Sequence, residues 1–154
     1  MGKYAADTSV SASATRVEIE RTLTRYGADA FSYLQAPGVG AISFQMNGRQ
    51  VRLVVRLPAQ GSKEFTLTPG RRLQRSEAEA LRFWEKACRQ RWRALLLLVK
   101  AQLEAIESGI ISFEDAWLPF TVLPSGRTVV EEIGPQIEAA YSSGAVAPLQ
   151  IERR

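Results

Sequence analysis

Between Arg71 and Gly109 the apolar residues fall at Leu81, Trp84, Cys88, Trp92, Leu95, Val99, Leu103, Ile106 and Ile110. The spacings alternate between three and four residues, the period of an α-helix that buries one stripe. The stretch 71–109 therefore reads as one long helix. Ser76 can cap its start, with Glu79 three residues on to complete a capping box, and Gly109 is the expected stop. Leu95, Leu96, Leu97 and Leu98 point in four directions, so the helix middle is expected to be enclosed by other elements or by a second subunit.

The remaining pattern fills in around that helix. Residues 1–11 are small and polar and read as a flexible arm. A first helix follows, with Ile19, Leu23 and Tyr26 as its apolar face. A serine in 11–15, or the pair Thr15 and Glu18, caps it, and Gly27 closes it. Arg16, Arg21 and Arg25 alternate with Glu18 and Glu20 and read as an exposed face of mixed charge.

Residues 30–35 read as a strand and 36–40 as a turn. Residues 41–46 and 49–57 then flank Asn47-Gly48, the favoured two-residue hairpin turn. That turn sets Phe44 opposite Val51 and Ile42 opposite Leu53, all apolar, and Gln45 opposite Gln50 and Ser43 opposite Arg52, all polar. Both strands thus agree on the buried face. Residues 58–70 read as a loop with a short strand at 65–68.

Ser112 is placed to cap a short helix through Trp117, which Pro119 ends. A small hairpin or an extended turn at 121–129 leads to a final helix capped by Thr128 and Glu131, which Gly134-Pro135 should bend or restart and Gly144 should end. The tail 145–154 is expected to be loosely attached. The whole is one α+β domain, 1–154: an N-terminal helix, a three-stranded antiparallel meander, a long central helix and C-terminal helices.

Charge changes the picture of the long helix. Residues 71–100 hold nine basic and three acidic groups, whereas the rest of the chain holds eleven basic and thirteen acidic. At about 100° per residue, Arg75, Arg82, Lys86, Arg89, Arg93 and Lys100 share a sector of roughly 60°. Phosphates attract clustered cations, and the planar fork of arginine suits them. Arg71, Arg72, Arg75, Arg82, Lys86, Arg89 and Arg93, joined by Arg52 and Arg56 from the hairpin, are therefore the candidate surface for DNA or RNA. A plainer reading is a solvated face partly neutralised by Glu77, Glu79 and Glu85. The chain has no helix-turn-helix, zinc-finger or ribonucleoprotein pattern, so backbone binding without sequence readout is expected. Of the nearby aromatic rings, Phe83 is expected to be the accessible one.

The chain contains no histidine and a single cysteine, Cys88, which lies on the apolar stripe. That removes the commonest general base, the usual partner of a nucleophilic cysteine and an ordinary zinc site. Glu104, Glu107, Glu114 and Asp115 are the candidates for a two-metal phosphodiesterase site, but helix-start and solvated-face roles account for them. The expectation is a non-enzymatic protein without cofactor or metal, with no membrane span or signal-peptide core, in the cytoplasm. The alternative to nucleic-acid binding is a regulator or inhibitor that grips a host protein, or pairs as a homodimer, through the apolar segment 95–98.

The segments RQRWRALLLLVKAQLEAIESGI, FEDAW and LPSGRTVVEEIGPQIEAAY, with ADTSVSASATRVEIERTLTRYGADAF and NGRQVRLVVRLP earlier, resemble a group of small proteins carried by tailed bacteriophages and prophages. The resemblance spans most of the chain. It implies a bacterial cytoplasm during infection or lysogeny, and no assigned activity or functional residue comes with it.

Overall fold

The computed structural model describes residues 11–144. The tail expected at 145–154, and all of the expected arm except Ser11, lie outside the described residues. The elements run α1 (Ala12–Arg25), β1 (Ala30–Ala36), β2 (Val39–Met46), β3 (Arg49–Arg56), α2 (Lys63–Thr66), α3 (Glu77–Glu107), α4 (Phe113–Trp117), a 3₁₀ turn (Leu118–Phe120) and α5 (Val129–Ser142). This is the expected α+β order, with the strands in one antiparallel sheet, β1-β2-β3.

The β2–β3 hairpin closes on Asn47-Gly48, both at positive φ, 51° and 70°, as a two-residue turn of this type requires. Its register pairs Phe44 with Val51, Ile42 with Leu53, Gln45 with Gln50 and Ser43 with Arg52, as the residue pattern predicts. The β1–β2 connection is tighter than expected. Pro37-Gly38 alone makes the turn, and Val39 and Gly40 already belong to β2.

Ile42, Phe44, Val51 and Leu53 form the buried face of the sheet and are at most 1% exposed. Trp92, Leu96, Val99 and Leu103 of α3 join them in one core, with Ile19 and Leu23 of α1 and Trp117 of α4. Burying each such side chain contributes on the order of 1.5–3 kcal/mol. Phe44 meets Trp117 edge-on at 5.4 Å between ring centroids, a favoured aromatic geometry. Trp92 reaches the sheet at Gly40, where a Cβ would lie 2.5 Å from its Cζ2.

Several expectations need correcting. The long helix starts at Glu77, with Ser76 as cap, so Arg71, Arg72 and Arg75 precede it. Arg72 has φ 55°, the Thr68 N–H bonds to the Leu73 carbonyl, and the Arg75 N–H bonds to the Thr66 carbonyl. Those bonds close a loop in place of a first helical turn. The strand expected at 65–68 is instead the end of α2 and a single bridge from Leu67 to Gln74. Phe65 and Thr66 bond locally to the Ser62 carbonyl, which a strand would forgo.

Ser11 caps α1, not Thr15, which is buried inside the helix. Of the four consecutive leucines, Leu95 and Leu96 are buried, but Leu97 and Leu98 are exposed, so the helix middle is enclosed on one side only. Leu81 and Ile110 also lie exposed at the ends of the apolar stripe.

α5 runs unbroken through Gly134-Pro135. Pro135 has no N–H to give to the Glu131 carbonyl. The guanidinium of Arg127 donates to that carbonyl instead. A capping box between Thr128 and Glu131 holds the start, as predicted.

Candidate nucleic-acid interface

α3 carries the site, and its first half and second half behave differently. Arg82 and Lys86 are exposed on the first half. Neither forms a hydrogen bond or ion pair with another described residue. Arg89, one turn on, is half-buried; its Nε is shielded from solvent and has no hydrogen-bond partner.

Arg89 lines a cleft of about 400 Å³ with Ser11, Ser13 and Arg16 from the first turns of α1, Gln35, Trp84, Trp92 and one carboxylate, Glu85. Arg16 was not among the candidates read from the sequence. Its guanidinium sits 4.7 Å from the Tyr33 ring centre and 5.3 Å from that of Trp92, and donates to Gln35 Oε1 at 2.8 Å. Stacking on rings and an amide fixes this cation without neutralising it. The start of α1 points its positive dipole end at the same region. Trp84 is held by a 2.8 Å bond from its Nε1 to the Pro58 carbonyl.

In the second half of α3 the stripe is paired with a carboxylate. Arg93 and Lys100 both donate to Glu18 of α1, at 2.6 and 2.7 Å. The bond from Lys100, then that from Arg93, holds the Glu18 carboxyl below its usual range. Glu18 therefore ties α1 to α3 and is not part of a solvated mixed-charge face.

The other candidates separate. Arg75 donates to the carbonyls of Glu64 and Phe65, at 3.1 and 3.0 Å, and lies 4.0 Å over the ring of Phe83. Phe83 itself remains exposed. Arg71 and Arg72 are exposed in the loop before α3. Arg52 and Arg56 do not join the helix stripe. They alternate with Val51, Leu53 and Val55, so they lie on the sheet face turned away from α3. Arg52 is engaged by the Gly126 carbonyl at 3.0 Å and by Glu131 at 2.9 Å, and Arg56 is exposed. The expected nine-residue surface is thus a cluster of Arg82, Lys86 and Arg89, extended by Arg16, with Arg71 and Arg72 in the preceding loop.

Among the described residues no three cysteine or carboxylate side chains converge to hold a metal ion, so Glu104, Glu107, Glu114 and Asp115 do not form the two-metal arrangement. Glu104 accepts from the Tyr26 hydroxyl at 3.4 Å, and Glu114 and Asp115 lie in the first turn of α4, capped by Ser112. Cys88 is buried, and burial, with Glu85 nearby, pushes its thiol up from the usual value. No described helix is long and apolar enough to cross a membrane. No protein-family model, curated protein or solved structure matches the chain.

Proposed function

We propose that this protein binds nucleic acid through the phosphate backbone, without reading sequence, along Arg82, Lys86, Arg89 and Arg16. The observation that carries this reading is the contrast along α3. Arg93 and Lys100 share the Glu18 carboxylate, which offsets one of their two charges, whereas Arg82 and Lys86, on the same stripe, have no carboxylate partner among the described residues. A phosphate oxygen entering the cleft would meet the guanidinium of Arg89, which lines it, and Ser11, Ser13 and the start of α1 add neutral donors. Arg71 and Arg72 extend the contact from the loop. Phe83 offers a ring face for an unpaired base beside them. The setting is that of a phage accessory protein in a bacterial cytoplasm, in keeping with the sequence resemblance.

Fluorescence anisotropy with labelled single- and double-stranded DNA across a salt series tests the proposal. Binding that weakens steeply with salt and is indifferent to sequence is the expected result. An unchanged anisotropy on both DNAs at low salt overturns it.

A further inference from the structure

Among the described residues, two apolar surfaces lack a cover. The first is α5. None of its fourteen residues is buried, and Val130, Ile133, Ile137 and Tyr141 recur at helical spacing with exposures of 51%, 39%, 52% and 65%. A helix this short draws its stability from packing, not from propensity. The second is the outer side of the α1–α3 pair. There Ala14 and Val17 of α1 and Leu97 and Ala101 of α3 line an open groove of about 1020 Å³.

We propose that α5 of one copy lies in the α1–α3 groove of a second copy, and reciprocally, so that the protein is a two-fold dimer. Charge selects this occupant. Residues 128–144 carry Glu131, Glu132 and Glu138 and no cation; Glu131 and Glu132 are paired with Arg52 and Arg127 of their own copy, and Glu138 forms no ion pair with a described residue. The groove is walled by Arg21, Arg25 and Lys100, with Glu18 and, at one end beside Tyr26, Glu104. Its own Glu18 is already engaged by Arg93 and Lys100, while Arg21 and Arg25 form no ion pair with a described residue. An acidic amphipathic helix is repelled by an anionic lipid surface but matches this basic, apolar groove.

Length agrees as well. Fourteen helical residues span about 21 Å, and the α1 wall from Ala14 to Tyr26 spans about 18 Å. One helix in one groove falls short of the roughly 800 Å² per partner of a stable interface, and the two-fold axis repeats the contact.

The test is light scattering after size exclusion, with the full chain in nucleic-acid-free buffer at roughly 50 µM, a concentration that populates a micromolar dimer. The expected mass is twice the 17.1 kDa of one chain. Ile137→Glu and Leu97→Glu should each give a monomer with unchanged circular dichroism, because both side chains are exposed within one copy. Arg21→Glu with Arg25→Glu should weaken the dimer by roughly tenfold or more, two rim charges being reversed. A wild-type monomer overturns the proposal. So does a dimer that survives either single substitution, or one indifferent to the reversed arginines. A dimer broken only by Ser32→Pro would move the contact to the free edge of β1 and overturn it too.

Discussion

Replacing Arg82 and Lys86 together by alanine separates the proposed surface from the rest of the basic charge. Counting Arg16, Arg82, Lys86 and Arg89 as four phosphate contacts, log K should fall against log salt with a slope of about −3.6 on duplex DNA. Between about 50 and 200 mM salt that is roughly a 150-fold loss of affinity. The double variant keeps two contacts, so its slope should be about −1.8 and the same loss only about 12-fold. Both side chains are exposed and make no bond to a described residue, so thermal stability should hold. Two controls bracket the result. Arg56→Ala removes one cation from the opposite face of the sheet and should leave the slope unchanged. Arg93→Ala removes a cation already paired with Glu18; it should leave the slope nearly unchanged and cost on the order of 0.2–1 kcal/mol of stability, the range for partly exposed pairs. Anisotropy titrations at four or more salt concentrations read the slopes. A double variant with the wild-type slope, or an Arg56→Ala slope reduced as much as that of the double variant, refutes the assignment.

Three further outcomes follow from the packing and the caps. Gly40→Ala places a Cβ 2.5 Å from Trp92 Cζ2, so overpacking should cost about 2 kcal/mol and lower Tm by roughly 4–8 °C. Combining it with Trp92→Phe should recover part of the loss, and strict additivity of the two substitutions would refute the clash. Glu18 and Glu131 both have carboxyls held below the ordinary 4.5, so their stabilisation is complete above that pH and is lost as pH falls through their folded values. Tm should therefore drop on acidification below 4.5, and Glu18→Gln should flatten the drop. Arg127→Ala removes the donor that serves the Glu131 carbonyl in the absence of a Pro135 N–H, and helicity by far-UV circular dichroism should fall by part of α5 while α3 persists.

What could be read from the residues was what local rules decide. The Asn47-Gly48 hairpin was legible because two strands and one turn give the same register independently. α3 was legible because its stripe repeats over many turns, and its cap because Ser76 stands just before it, where its hydroxyl accepts from the Glu79 N–H; the return bond of a capping box is not formed there. The basic run Arg71–Arg75 misled because cations are indifferent to helix or loop; the left-handed φ of Arg72 and the bonds back to Thr66 and Thr68 are set by packing on α2. α2 itself is too short to show a period. Pro135 looked like a break because its replacement donor, Arg127, reaches back from outside the helix. The division of the basic stripe was hidden because Glu18 lies 75 residues before Arg93. Arg16 was hidden likewise: its cleft exists only once α1, β1 and α3 are packed.

β1 raises a different matter. Its two faces are almost equally wet, with Tyr33 55% and Leu34 61% exposed on opposite sides. A one-residue slip would normally exchange a buried row for a solvated one, but here it exchanges two similar rows. The alignment of β1 is therefore set by the length of the Pro37-Gly38 turn and hardly by burial. An inserted residue at that turn should be tolerated, whereas one at Asn47-Gly48 would carry the core row of β3 into water. Burial thus restrains the first strand less than the hairpin beside it, and the contacts of its Tyr33 and Gln35 with Arg16 are what a slip would break.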